Sequence, residues 1–522
     1  MTETFRVTYA TLSADNDDLH AAYDEGIERA RAMLGGLRPF VIGGEMREGI
    51  AGAALDERSP ADHDLRVANL ATASAEDVAD AVAAAHVHAP TWAATPWQDR
   101  AEVLDRAADL ISERRFELSA VMAMEVGKNR LEALGDVEET ADLIRYYGHQ
   151  MREHQGFAQP MERLSPEEAT FDVMRPYGVW AVVAPFNFPM ALAIAPTAAA
   201  LIVGNTVVLK PSEQGALTSI LGCEALWDAG IPPGALHVVT GPGETVGRAL
   251  VQDPRVGGIT FTGSYDVGMA LYRARAGAWP KPVVCEMGGK NPVIVGEAAD
   301  LDLAVEGTAR SAFGYSGQKC SAASRCYVER SVYGEFVDRL VERADAVVVG
   351  DPLRRDVFMG PVIDAAAVSR YESAVAEASQ TGRVLAGGRR IDDGALERGY
   401  FVAPTVVEAP IDGRLFSDEL FVPFVAVAPV SSLDDAIDRA NASPLGLTAG
   451  LFSREQADID RFLERIDAGV VYVNRKSGAT TGAWPGVQPF GGWKGSGTNG
   501  KAGGGPYYLQ QYAREQSRTI VS

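Results

Sequence analysis

Basic residues are outnumbered in this 522-residue chain: 48 Lys and Arg stand against 70 Asp and Glu, for a net charge of −22. A surface so acidic repels phosphate backbones and anionic lipid, which argues against a nucleic-acid partner or a polybasic membrane anchor. Cysteine is rarer still. Only Cys223, Cys285, Cys320 and Cys326 occur, with no C-x-x-C pair, too few to staple a chain of this length, so a reducing, cytoplasmic setting is expected. There are seven histidines; His86 and His88 are spaced i, i+2 and do not share a helix face, no H-E-x-x-H occurs, and no metal site is expected. Serine chemistry lacks its G-x-S-x-G elbow. No apolar run is long enough to span a membrane without interruption, because 181–209 is broken by Pro185, Asn187, Pro189, Pro196 and Asn205. A buried strand, loop, helix and strand are expected there instead. The first residues, MTETFRVTYATLSADNDD, lack the basic end and apolar centre of a secretion signal.

What remains is ordinary soluble composition, 47% hydrophobic and 23% charged, in a chain long enough for roughly three units of about 150 residues. Helical signals dominate the early part. Ser74 is placed to cap an Ala-rich helix, and Thr95-Pro96-Trp97-Gln98 reads as a capping box with proline at the first helical position. Val103, Leu104, Ala107, Ala108 and Ile111 then recur at helical spacing. From Trp180 the texture changes to short apolar runs between helices: WAVVA, NTVVLK, ALHVVT, GGITFTG and PVVCEMGG. Runs apolar on both faces that alternate with helices indicate a parallel, doubly wound sheet. A second such series begins near Asn291 with PVIVG, SRCYVER, YFVAPTVVE, FVPFVAVAPV, GLTAGLF and AGVVYVNR. The glycine-rich stretch 491–506 has aromatics on both sides and leads to a strand-like end, SRTIVS.

Several motifs sit where an open α/β sheet binds ligands. GPGETVG, Gly241 to Gly247, follows a strand and resembles a dinucleotide loop, although its last gap is one residue too long for G-x-G-x-x-G. FTGS, Phe261 to Ser264, again ends a strand and opens a helix, whose free N–H groups suit a phosphate. KPSE sets Lys210, Ser212 and Glu213 after NTVVL; lysine and glutamate there suit ribose hydroxyls, and a carboxylate repels a 2′-phosphate, which favours NAD over NADP. GSGTNGK, Gly495 to Lys501, has Walker A spacing, but Ala502 stands where a magnesium-binding hydroxyl is needed. Cys223, Cys285 and Cys326 lie in apolar runs and read as core. Cys320, in GQKCSAAS, has polar neighbours in Gln318, Lys319 and Ser321. A thiol with an ordinary pKa of about 8.5 needs activation at neutral pH, and Glu286 of EMGGK is the candidate base.

PFNFP, KPSE, FTGS, EMGGK, GQKC, DELF and QPFGG occur in the order and at about the separations of the aldehyde dehydrogenase superfamily, which the chain resembles over nearly its whole length. The stretch VNRKSGATTGAWPGVQPFGGWKGSGTNGKAGG is similar to the same region of the 1-pyrroline-5-carboxylate (glutamate semialdehyde) dehydrogenases. The resemblance implies an α/β fold with a Rossmann-type NAD-binding domain (1–157 and 176–288), an α/β catalytic domain (289–490) and a small β oligomerisation element (158–175 and 491–522). It implies Cys320 as nucleophile, Asn187 as oxyanion donor and Glu286 as general base. For the cofactor it implies Pro185, Phe186, Lys210, Ser212, Glu213, Gly243, Gly247, Gly263, Ser264, Glu419 and Phe421. For the substrate it implies Glu139, Phe188, Ser321, Gly482, Ala483 and Phe490. A small-molecule aldehyde and a homo-oligomer, dimer or larger, are the implied partners. L-Glutamate γ-semialdehyde leads as substrate; succinate semialdehyde, a simple aliphatic aldehyde, or a non-catalytic relative with the same fold are the alternatives. One departure stands out: Val422 precedes Pro423 where the family commonly has glycine.

Overall fold

A computed structural model describes residues 16–50, 53–275, 277, 279–476 and 484–522. Two seven-stranded sheets organise it. Across the first, the strands run Val283–Met287, Val256–Gly263, Val179–Val183, Thr206–Lys210 and Leu236–Val238, all parallel, followed by the antiparallel hairpin Phe40–Ile42 and Glu45–Arg47. The central strands carry apolar residues on both faces, since Trp180, Val182, Val207 and Leu209 pack one way and Val179, Ala181 and Val208 the other. That is why their sequences read as continuous runs. From Val179–Val183 the chain builds outward to Thr206–Lys210 and Leu236–Val238, then crosses back to Val256–Gly263 on the opposite side. The crevice at that reversal, beyond the carboxyl ends of Val179–Val183 and Val256–Gly263, is where an open sheet of this kind accepts ligands.

In the second sheet the order is Arg383–Ala386, Thr405–Glu408, Phe424–Val430, Ala323–Glu329, Asn291–Val295, Thr448–Phe452 and Val470–Val473, parallel except at the Arg383–Ala386 edge. Only Gly288 to Lys290 separate the last strand of the first sheet from Asn291–Val295. The carboxyl end of one sheet thereby meets the amino end of the other. A third sheet joins Ala158–Pro160, Glu168–Pro176 and Ala513–Val521 in antiparallel order, the last two paired over nine residues each.

The region expected as strand, loop, helix and strand is so built: Val179–Val183, a loop, the buried helix Ala191–Val203 and Thr206–Lys210. Ser74 caps Ala75–Ala94 in a reciprocal box with Asp77. Thr95 does not cap the next helix. It closes the preceding one, its hydroxyl donating to the Thr91 carbonyl at 3.3 Å, and Pro96 itself precedes Trp97–Glu113 without a side-chain cap. Proline's missing N–H and extended ψ suit a residue that ends one helix and starts another, which the capping pattern alone does not distinguish. The early region is also less purely helical than expected, because five short strands lie between Leu37 and Leu70. No described helix is long and apolar enough to cross a membrane.

Candidate active site

Cys320 sits in a loop that the surrounding structure fixes from several directions. The helix Leu301–Phe313 ends in a tight turn, Gly314–Gly317, where Tyr315, Ser316 and Gly317 all take positive φ. Such a run of left-handed residues persists only when neighbours hold it. Tyr315 donates to the Val126 carbonyl at 2.9 Å and Ser316 to that of Gly360 at 2.7 Å. Gln318 accepts from the Ile363 N–H at 2.8 Å. At Gly317 a side chain is excluded: a Cβ would lie 2.3 Å from the Val422 carbonyl oxygen. Asn291 completes the clamp by donating to the carbonyls of Cys320 (2.7 Å) and Ala322 (2.9 Å) while accepting from the Thr448 N–H (3.0 Å). Asn291 follows EMGGK directly, yet no local pattern marked it.

Glu286 lies on the last strand of the first sheet, braced by the glycine-rich C-terminal stretch. Thr498 donates to the Val283 carbonyl (2.7 Å) and accepts from the Cys285 N–H (2.9 Å), and Ser496 donates to the Gly288 carbonyl (2.7 Å). The Gly492 N–H reaches the Glu286 carboxylate at 3.3 Å. The stretch is therefore an ordered brace, and after Lys501 it continues in turns, without the helix a Walker A loop requires. Desolvation pushes the Glu286 pKa up to about 8 against the pull of the Gly492 N–H.

A cavity of about 80 Å³ joins these two groups. Cys320, Ser321, Glu286, Glu139, Phe188 and Phe490 all line it, together with Tyr147, Leu143, Thr260, Thr262, Gly503 and Tyr508. Its walls are mostly apolar, so a carboxylate within them is conspicuous. Tyr147 stacks on Tyr508 at 5.6 Å, and Tyr508 accepts from Tyr512 at 2.8 Å. Asn187 is buried beside Phe188, 4% exposed, and does not line the cavity itself. Gly482 and Ala483 lie outside the described residues.

The Cys320 thiol is half-buried, whereas Cys223, Cys285 and Cys326 are buried and all four are free. Desolvation raises the Cys320 pKa to about 12, with the nearby Glu419 and Glu286 carboxylates adding to the shift and the N–H groups of Ser321 and Cys320 opposing it. Acting through space, both carboxylates disfavour the thiolate. Glu419 takes the place that a side chain on Gly288 would need, because a Cβ there would lie 1.9 Å from its Oε2, and it accepts from the Gly289 N–H at 3.0 Å. Burial lifts its own pKa to about 7. Phe421 holds positive φ, +57°, and meets Phe186 edge-on at 5.9 Å.

The remaining predicted residues gather along the carboxyl edge of the first sheet. Pro185 and Phe186 follow Val179–Val183, and Gly263 with Ser264 ends Val256–Gly263 and opens the helix Tyr265–Ala274, both bordering the crevice at the chain reversal. Lys210 is buried; its ammonium donates to Glu213 at 3.1 Å and to the Pro211 carbonyl at 2.9 Å. Ser212 accepts from the Gln214 N–H at 3.4 Å. Gly243 and Gly247 bound a single π-helical turn, and Gly247 stands against the Lys210 stem, where a Cβ would make ordinary contact at 3.5 Å. A lysine–carboxylate pair, an adjoining glycine turn and a helix N-terminus on one edge form a donor set suited to ribose hydroxyls and phosphates.

Known proteins resemble this chain over most of its length. The model of the aldehyde dehydrogenase family matches residues 49–517. The chain is 38% identical over 496 residues to the 1-pyrroline-5-carboxylate dehydrogenase of Geobacillus thermodenitrificans, covering 94% of each. A solved structure of 1-pyrroline-5-carboxylate dehydrogenase from Thermus with bound NAD superposes with a TM-score of 0.93 at 35% identity over the whole of both chains. Proline utilization A from Bdellovibrio bacteriovorus matches at 38% identity with a TM-score of 0.91, over 96% of this chain; the chain spans about half, 52%, of that longer protein. From the matched length, the identities and the shared architecture, the chain belongs to the aldehyde dehydrogenase family.

Proposed function

We propose that this protein oxidises L-glutamate γ-semialdehyde, the open form of 1-pyrroline-5-carboxylate, to L-glutamate with NAD. The observation that carries the reading is the single apolar cavity in which Cys320 and Glu286 meet beside Glu139. An aliphatic aldehyde fits between Phe188 and Phe490, Glu139 faces its amino group, and Ser321 faces its carboxylate. The names of the relatives support this substrate, and the NAD-bound Thermus structure supports the cofactor.

Cys320 releases its thiol proton to solvent as its sulfur adds to the aldehyde carbon; the new C–S bond forms as the carbonyl π electrons move onto oxygen, which gains charge. The Asn187 amide and the Cys320 N–H steady that oxygen; loss of one such donor typically raises the barrier by about 3 to 4 kcal/mol. Bound NAD supplies the hydride acceptor that leaves a thioester on Cys320. Lys210, Ser212 and Glu213 would hold the adenine-side ribose; Gly243, Gly247, Gly263 and Ser264 would border the phosphates; Pro185, Phe186, Glu419 and Phe421 would flank the nicotinamide side. Glu286 then takes a proton from water, whose oxygen attacks the thioester, and the C–S bond breaks to free carboxylate and thiol. A raised pKa suits this role, since a base near the working pH accepts a proton readily.

The first sheet serves the cofactor, the second carries the nucleophile, and the three-stranded sheet contacts another copy of the chain in the cytoplasm. Its terminal strand Ala513–Val521 lies at the sheet edge with Ile520 and Val521 exposed, which favours pairing with a partner. The reading is tested by following NADH formation with pyrroline-5-carboxylate, succinate semialdehyde and propanal. The largest kcat/KM is expected with pyrroline-5-carboxylate; equal or better use of either other aldehyde overturns the substrate assignment, and no turnover of any of them despite NAD binding overturns the activity.

A further inference from the structure

Lys128 and Asp136 form an ion pair at 2.8 Å with both side chains fully buried. Pairs of this kind add little net stability compared with apolar packing, because desolvation of both charges offsets their attraction. Their placement is more informative. The Lys128 ammonium stands 3.5 Å from the centre of the Phe188 ring and 5.0 Å from that of Tyr315. Asp136 accepts from the Ala191 N–H at 2.8 Å through its other oxygen, at the first residue of the helix that follows the Asn187 loop. The pair therefore holds that loop at two points, on either side of its turn.

The helix that carries Asp136, Arg130–Glu153, reaches the other side of the site. Glu132, Asp136 and Glu139 occur at i, i+4 and i+7, on one face. Glu132 pairs with the buried ammonium of Lys319, the residue before Cys320. Glu139 lines the cavity between the two loops. Tyr315, whose ring also faces Lys128, belongs to the left-handed turn that leads into Cys320. One rigid helix thus touches both the loop that carries Asn187 and the loop that carries the thiol.

We infer that the Lys128–Asp136 pair and Glu132 are positioning residues that hold the Asn187–Phe188 loop in register with the Cys320 loop, so that the oxyanion donors meet the oxygen borne by the carbon that the thiol attacks. The inference rests on the roles proposed above for Asn187 and Cys320. Displacement by about 1 Å at such a site can cost on the order of 100-fold in rate.

The test uses the full-length Lys128→Met, Lys128→Arg and Glu132→Gln proteins, each checked for folding by circular dichroism and thermal melting. With the best aldehyde of the panel, Lys128→Met is expected to lower kcat by about 30-fold and Glu132→Gln by about 5-fold, with KM for NAD within about 2-fold of wild type and partial recovery in Lys128→Arg. Two aldehyde-independent probes separate geometry from loss of the thiol. Acylation of Cys320 by p-nitrophenyl acetate needs an oxyanion site and should fall in parallel with kcat; alkylation by iodoacetamide does not, and should stay within about 3-fold. Wild-type kcat in folded Lys128→Met, or acylation and alkylation falling together, overturns the inference. Should Lys128→Met fail to fold, Glu132→Gln decides by the same criteria. A wild type that acylates but oxidises none of the aldehydes defeats the proposed activity alone, and the acylation ratio still judges the positioning role.

Discussion

The two ends of the cavity are built by different means. At the end proposed to react, groups are tied down by contacts from remote parts of the chain: Asn291 and Gln318 fix the Cys320 loop, the Gly492 N–H meets Glu286, and Ser496 and Thr498 brace the strand beneath it. At the end proposed for recognition, the walls are Phe188, Phe490, Leu143, Tyr147 and Tyr508, with the Glu139 carboxyl group among them. The first arrangement specifies positions; the second specifies shape and one carboxyl group. On the proposed roles, chemistry is set by backbone and buried polar bonds, whereas substrate choice is set by wall side chains, of which Phe188 also packs on Lys128 and so belongs to the loop's support.

Substitutions at the reacting end should be severe and indifferent to the aldehyde offered. Cys320→Ala is expected to lower turnover by about 10,000-fold or more on every aldehyde while leaving NAD binding intact, measured by NADH formation and by titration with NAD. Residual turnover above that level would mean that the comparison has the wrong nucleophile. Glu286→Gln should slow steady-state turnover by about 100- to 10,000-fold, yet still release one NADH per subunit in the first turnover, because the thioester forms before water is needed. A missing burst would move Glu286 from hydrolysis to an earlier step. At the other end the effect is smaller and selective. Glu139→Gln removes a charged hydrogen-bond partner, so kcat/KM for glutamate semialdehyde should fall by about 10- to 100-fold while propanal is unaffected. An equal loss on both aldehydes would erase the distinction between the two ends.

The difference also explains what the residues disclosed on their own. Strands such as Val179–Val183 and Thr206–Lys210 were legible because both faces are buried, and each motif at a strand end marked its own place on the sheet edge. Cys320 was separable from Cys223, Cys285 and Cys326 by the polarity of its neighbours. The short strand Phe40–Ile42 was not legible, since three residues carry no periodicity. Thr95 was misassigned because a hydroxyl before proline reads alike at the end of one helix and the start of the next. Lys128 and Asp136 gave no signal either: their sequence resembles any solvated helix start, and only packing of Phe188 and Tyr315 over Lys128 makes them interior. Long-range clamps, Asn291 above all, are likewise invisible until the sheets are assembled.

The smallest effect tests whether the reacting end is held at a cost. Glu286 has an ordinary pKa of 4.5 and is raised by desolvation to about 8 in the folded protein. The folded state therefore binds this proton more tightly than the unfolded state does, and the stability linked to it is fully present below pH 4.5 and lost as the pH rises through about 8. Glutamine keeps the shape but cannot ionise. Glu286→Gln should consequently melt higher than wild type at about pH 9, by roughly 2 °C in a chain of this size, and the gap should close toward about pH 5. The half-buried side chain keeps the difference modest, because solvent screens part of the charge. A gap that is constant with pH would assign the effect to packing, and a wild type more stable than the variant at high pH would mean that the Glu286 carboxylate is stabilised by its surroundings, leaving the reacting end no more strained than the recognition end.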